Sequence, residues 1–186
     1  LDTLRALLIQ RAARLQEWPA LTAPGWGTLG YPAFRNRVEG VALGLMAGAP
    51  GPVYSRGAGP WDWACEVACA ACGRVWDPAG AVDPAILGGP RFNSDEGRQP
   101  YHDCDPDPGA PFAGTLTHAE LLARLRRLNG CLGWDHTSEV TLPLAALHTE
   151  EARGALWSAL YAGAHATLLP GTARDWDPAA FRGLLR

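Results

Sequence analysis

Apolar residues recur at Leu4, Leu7, Leu8, Ala12 and Leu15, the spacing of one helix face, behind a capping residue at Asp2 or Thr3. Trp18-Pro19 ends that helix. Ala20 to Ala23 and Thr28 to Tyr31 read as two short strands around a Pro24-Gly25-Trp26-Gly27 turn. Pro32 then stands where a first-turn proline belongs, and Phe34, Val38, Val41, Ala42 and Leu45 form the apolar stripe of a second helix. A strand at Pro52 to Ser55, a helix from about Trp61 to Cys72 and a strand at Arg74 to Asp77 follow. Strand, helix, strand in this rhythm marks a parallel α/β unit.

The second half repeats the rhythm. Thr117 and Glu120 form the T-x-x-E capping box of a helix whose stripe is Leu121, Leu125, Leu128 and Leu132. Ser138 to Leu142 reads as a strand, Thr149 caps a helix to Ala162, and His165 to Leu169 reads as another strand. Asp177-Pro178 opens a last short helix by the cap-then-proline rule. The pattern predicts an α/β fold: a mainly parallel sheet with helices on both faces, in one domain spanning residues 1–186. Between the halves, Asp77 to Leu116 holds seven of the sixteen prolines and no periodicity. It reads as a long surface loop with at most one short helix near Pro84 to Leu87. A loop of that length inside a compact domain is uncommon, so it is functional or marks a deletion.

Composition changes the picture in three ways. A net charge of −3 argues against a nucleic-acid partner. No apolar run reaches membrane-span length and the N-terminus lacks the form of a signal peptide, so the expectation is a cytoplasmic protein without a membrane partner. Every basic residue is an arginine, and lysine is absent.

The order of segments resembles that of the adenylate-forming enzymes, the acyl-CoA synthetases and their relatives. Residues 3–47 resemble that family's first helix, its "pALt" strand, its "lTYxEL" strand-helix entry and the helix after it, with Tyr31 at the tyrosine of the pattern. WACEVACAACGRVWDP, residues 63–78, resembles the helix that ends in "GAvyvPl". LTHAELLA (116–123) resembles "lTHxnLl", and VTLPLAALH (140–148) resembles "lPLfH" with two additional residues before His148. ALYAGAHATLLP (159–170) resembles "LlaGAtvvLlp", and DPAAFRGLLR (177–186) resembles the helix beyond it. The likeness touches most of the chain outside the central loop.

The departures bear on chemistry. The family grips ATP phosphates with a Ser/Thr/Gly-rich loop ending in Pro-Lys-Gly, directly before the "THxnL" helix; such loops work through exposed N–H groups and a cation. Here the place reads DPDPGAPFAGTLTH, residues 105–118. Only Gly109, Gly114 and Thr115 resemble the loop. Pro106, Pro108 and Pro111 remove three N–H donors, and Asp103, Asp105 and Asp107 would repel a triphosphate. The sequence given stops at Arg186, ahead of the family's later nucleotide motifs and its lid. Without lysine, neither of the family's lysine roles is filled. The resemblance therefore implies the fold and argues against the usual reaction.

Three functional classes remain. The first is a degenerate ligase-like domain, unable to adenylate alone, that acts as a binding or oligomerisation module. In that reading no residue is catalytic, no cofactor or metal is expected, and the partner is a second copy, giving a dimer, or another protein. Apolar surface and a sheet edge that later parts of the resembled enzymes cover would drive the association. The second is a component of a ligase-like enzyme that binds ATP, AMP, CoA or an acyl group atypically. The ligand-binding candidates are Gly114 and Thr115, in place of the phosphate loop, and His148. The loop bearing His148 helps line the acyl pocket in the resembled family, although a histidine beside the Thr149 cap is also an ordinary structural residue.

The third is a zinc module built on Cys65, Cys69 and Cys72 with His102 and Cys104. Against zinc, the three cysteines are spaced i, i+4, i+7, which puts them on one buried helix face, where cysteine is usually a small hydrophobe. Asp103, Asp105 and Asp107 alternate like a calcium loop but lack its glycine and its final glutamate. His118 reads as support for a helix start. Trp26, Trp61, Trp63 and Trp134 fall near element ends, where an aromatic partner surface is expected.

Overall fold

Thr3 starts the first helix: its hydroxyl accepts from Ala6 N–H at 3.1 Å, and α1 runs Leu4–Arg14 with Leu4, Leu7, Leu8 and Ala12 inward. The structure is a computed structural model describing residues 1–48, 51, 53–54, 59–77, 104, 106–173 and 176–186. Strands β1 (Pro19–Ala23) and β2 (Gly27–Gly30) form an antiparallel hairpin, and α2 spans Tyr31–Ala47 with Pro32 in its first turn. Next come β3 (Val53–Tyr54), α3 (Pro60–Cys72) and β4 (Trp76–Asp77). Beyond the central segment lie β5 (Pro111–Ala113), β6 (Leu116–Thr117) and α4 (His118–Leu132). The chain continues through β7 (Glu139–Pro143), α5 (Glu150–Ala162) and β8 (His165–Leu169) to a 3-10 turn at Pro178–Phe181.

The α/β class holds, and four of the six strand pairings are parallel. The strands are shared between two sheets, however. Among the described residues one has the order β2-β1-β8-β7 and the other β3-β4-β5-β6. The reading of 77–116 as a loop is corrected at its end. There β5 and β6 pair with each other, and Ala113 also pairs with Trp76. The sequence hid these strands because they are three and two residues long, too short for a period to show, and β5 opens on a proline. The helix expected near Pro84 to Leu87, and with it His102, Asp103 and Asp105, lies outside the described residues.

Helix α3 is buried almost all round; Trp61 is its one half-buried member. Packing on every side explains why its apolar positions are not confined to one stripe. A chain of rings crosses the core from α2 to β5. Phe34 stacks on Trp63 at 6.4 Å, Trp63 meets Trp157 edge-on at 5.0 Å, and Trp157 meets Phe112 edge-on at 5.3 Å. Trp63 thus belongs to the core rather than to a partner surface. Trp26 and Trp61 pair at 4.8 Å with the Arg37 guanidinium over Trp26 at 4.3 Å, and Trp134 packs on Phe181 at 5.7 Å. These rings are engaged within the chain.

Local polar contacts close the helix ends. The Tyr31 hydroxyl donates to Ala164 O at 2.7 Å, and Arg11 Nε donates to Tyr161 O at 2.9 Å at the C-terminus of α5. Gly163 ends α5 with φ +81, a left-handed turn that favours glycine; a Cβ there would also meet Leu15 Cδ1 at 2.5 Å and displace that side chain. The capping box of α4 is complete: Glu120 N–H donates to Thr117 Oγ1 at 3.2 Å, and Thr117 N–H donates to Glu120 Oε2 at 2.9 Å. Thr117→Ala is expected to lower stability by about 1 kcal/mol. Denaturant melts of the two proteins measure it; an unchanged midpoint would assign Thr117 no capping role.

Candidate functional site

Gly114, Thr115 and His148 come from segments far apart in sequence, yet all three line one cleft of about 640 Å³. One wall is β4 with the residue before it, Val75 to Asp77. Another is the β5–β6 turn. Ala113 lies opposite Leu116, so the connection is the two residues Gly114 and Thr115, with Gly114 at φ +58. The remaining wall is His148 and the first turn of α5, with Leu185 and Arg186. His148, Gly114 and Thr115 are exposed at its mouth. Thr149 holds the start of α5 by accepting from Ala152 N–H at 3.2 Å.

Beneath the cleft is a small hollow of about 10 Å³ between α3 and α5, sharing Trp76, His148 and Arg153 with it. Glu66 and Arg153 meet there. Arg153 donates from Nε and Nη2 to the Glu66 carboxylate at 2.8 and 2.7 Å, and Trp157 Nε1 donates to the same carboxylate at 2.9 Å. Glu66 is 1% exposed and Arg153 7%. Burial by itself would lower the Arg153 pKa; the adjoining Glu66 carboxylate, helped by Glu150 and Asp62, outweighs it and raises it. Arg153 is therefore charged throughout the ordinary pH range. At the rim, Arg186 Nε donates to Glu150 Oε2 at 2.7 Å.

Sequence reading missed Glu66, Arg153 and Trp76. The available signal was a charge inside an otherwise apolar helical face: Glu66 stands between Cys65 and Val67, and Arg153 between Ala152 and Gly154. Two opposite charges of that kind on different helices call for each other, but nothing local says that the helices touch.

The cysteines lie as expected from their spacing. Cys65 and Cys69 are 0% exposed and Cys72 is 7%. Burial pushes the Cys65 and Cys72 thiols up to about 12 and Cys69 also well up, so all three stay protonated and weakly nucleophilic. Cys104 Sγ donates to Cys72 O at 3.3 Å. Among the described residues no three His, Cys, Asp or Glu side chains form a metal-sized group. No helix among them is long and apolar enough to cross a membrane.

No protein-family model and no curated protein matches this chain. Solved structures do. The nonribosomal peptide synthetase FmoA3 in its AMPPNP-bound form aligns over 99% of this chain and 24% of its own, at 17% identity and TM-score 0.63. The Klebsiella oxytoca NpsA N-terminal subdomain aligns over 94% of this chain and 55% of its own, at 17% identity and TM-score 0.62. The N-terminal domain of FACL13 from Mycobacterium tuberculosis aligns over 93% and 58%, at 13% identity and TM-score 0.64. The fold is that of the N-terminal part of adenylate-forming enzymes. This chain spans 24%, 55% and 58% of the length of these three structures. At these identities the likeness concerns the fold alone, which accords with the order of motifs read from the sequence.

Proposed function

We propose that this adenylation-type fold acts as a binding or oligomerisation module and does not adenylate by itself. The observation that carries the reading is the β5–β6 connection. Where the resembled enzymes have a phosphate-gripping loop ahead of the Thr-His helix, this chain makes a turn of two residues, Gly114 and Thr115. Two residues present too few N–H donors to surround a triphosphate. Pro108 and Pro111 before the turn add none, and no lysine exists anywhere to supply the cation. The test is pyrophosphate exchange with a panel of carboxylic acids. No ATP-dependent exchange is expected; robust exchange by the pure protein would end this reading.

The meeting of Gly114, Thr115 and His148 at one 640 Å³ cleft favours a second reading, in which the chain still binds a nucleotide or an acyl group atypically. FmoA3 was observed with AMPPNP and NpsA with 3-hydroxybenzoyl-AMSN. Calorimetric titration with ATP, AMP and CoA separates the readings: binding without exchange supports an atypical ligand site, and heat from none of the three supports the module.

The proposed partner is a second copy of the chain. Among the described residues β7 pairs only with β8 and so ends its sheet, and an open strand edge readily accepts a neighbour. Leu1, Trp18 and Leu169 are the large apolar side chains left exposed among the described residues, at 45, 39 and 37%. A two-fold pair is the commonest way to cover such an edge. Light scattering across a tenfold dilution is expected to report a dimer; a mass near 19.8 kDa at every concentration would exclude it.

A further inference from the structure

Trp76 is 2% exposed and is a wall of both the cleft and the hollow beneath it. Its indole N–H has no protein acceptor, unlike that of Trp157, which donates to Glu66. An indole nitrogen can only donate. A buried donor left without a partner is uncommon enough to require an explanation. The hollow that Trp76 helps to line, at about 10 Å³, has room for about one water-sized atom. The other strong donors in these walls are already engaged. Arg153 is held by Glu66 through two bonds, and Arg186 by Glu150.

We propose that the hollow is the inner end of a ligand site and takes an uncharged oxygen acceptor, the carbonyl of an amide or ester, whose body lies in the cleft. The Trp76 N–H donates to that carbonyl. A neutral acceptor fits because it satisfies the indole without adding charge. A carboxylate in the same place would approach the Glu66 oxygens while the facing guanidinium is already neutralised, and it would lose its hydration in a space that holds one oxygen. The exposed His148 and Thr115 at the mouth leave a polar rim for the outer end of the ligand. The site therefore selects an acyl group that is already capped over one that is a free acid. The inference rests on the reading of the chain as a binding module.

Benzamide and benzoate are matched probes, equal in shape and different in charge. In ligand-observed NMR titrations of the full chain, benzamide is expected to bind at least about tenfold tighter than benzoate, which at that ratio is about 1.4 kcal/mol. Trp76→Phe keeps an aromatic ring and removes the N–H; it is expected to weaken benzamide at least about fivefold, with a modest loss of stability from the smaller ring. Where that variant fails to fold, the indole N–H resonances of the wild-type protein give a second readout, since one of them shifts with benzamide and not with benzoate. Equal or tighter binding of benzoate overturns the proposal. So does benzamide binding that ignores Trp76→Phe, and so does the lack of any indole shift with benzamide. Pyrophosphate exchange is measured on the same sample: exchange with benzoate overturns the module reading, whereas no exchange together with no indole shift overturns this site alone.

Discussion

Replacing Arg153 with methionine is expected to destabilise the fold by about 3–5 kcal/mol, the range for breaking a buried ion pair from one side. The variant leaves the Glu66 carboxyl at 1% exposure without its cation, with Trp157 Nε1 the donor that remains to it among the described residues. Methionine occupies a similar volume, so the loss reports the charge and not a cavity. The double variant Glu66→Gln, Arg153→Met is expected to recover most of the loss. It removes both charges and keeps a side-chain carbonyl for the Trp157 N–H. Urea melts of the wild-type protein and the two variants measure this. A single-variant loss below about 1 kcal/mol, the size typical of exposed pairs, would mean that water reaches the carboxylate in solution.

Acid is expected to remove about 3 kcal/mol of stability between pH 6.5 and 4 through His118 alone, at about 1.4 kcal/mol per pH unit. His118 is 0% exposed, its Nδ1 accepts from Leu4 N–H at 3.3 Å, and Phe112 lies edge-on at 6.1 Å. Burial lowers its pKa from 6.5 to about 4, because the charged ring loses hydration without gaining a counter-charge. The folded value lies below the unfolded one, so the unfolded chain binds the proton first. The contribution is whole above the unfolded pKa of 6.5, and it is lost as pH falls toward 4. His118→Asn keeps an acceptor near the Nδ1 position and cannot titrate. Its stability against pH is expected to be flatter than that of the wild-type protein across this window. Parallel curves would show that His118 is hydrated or exposed as the acid limb begins.

His118 illustrates what was legible. The motif Thr117-His118 announces a helix start, and the structure has it as the first residue of α4. That the ring also receives the N–H of Leu4, and so ties α4 to the start of α1, has no local trace across 114 residues. Gly114, Thr115 and His148 were each picked on resemblance, and their convergence on one cleft became visible only when β4, β5 and α5 were seen side by side. The aromatic residues were read least well. Trp63 lies in the first turn of a helix and reads as peripheral, but α3 is enclosed almost all round and places it against Phe34 and Trp157.

By itself the sequence determined the elements and most of their limits. Caps such as Thr3, Thr117 and Thr149, the glycine stop at Gly163, and the apolar periods act over three or four residues, where the energetics are local. It also determined that the chain carries no lysine. The tertiary structure decided the division of the strands into two sheets, the union of Glu66 with Arg153 across 87 residues, and the unpartnered N–H of Trp76, which helps to line a hollow. The physical reason is that burial, desolvation and pairing depend on which surfaces close on one another. A charge or a donor shows its partner, or its lack of one, only after the chain has folded around it.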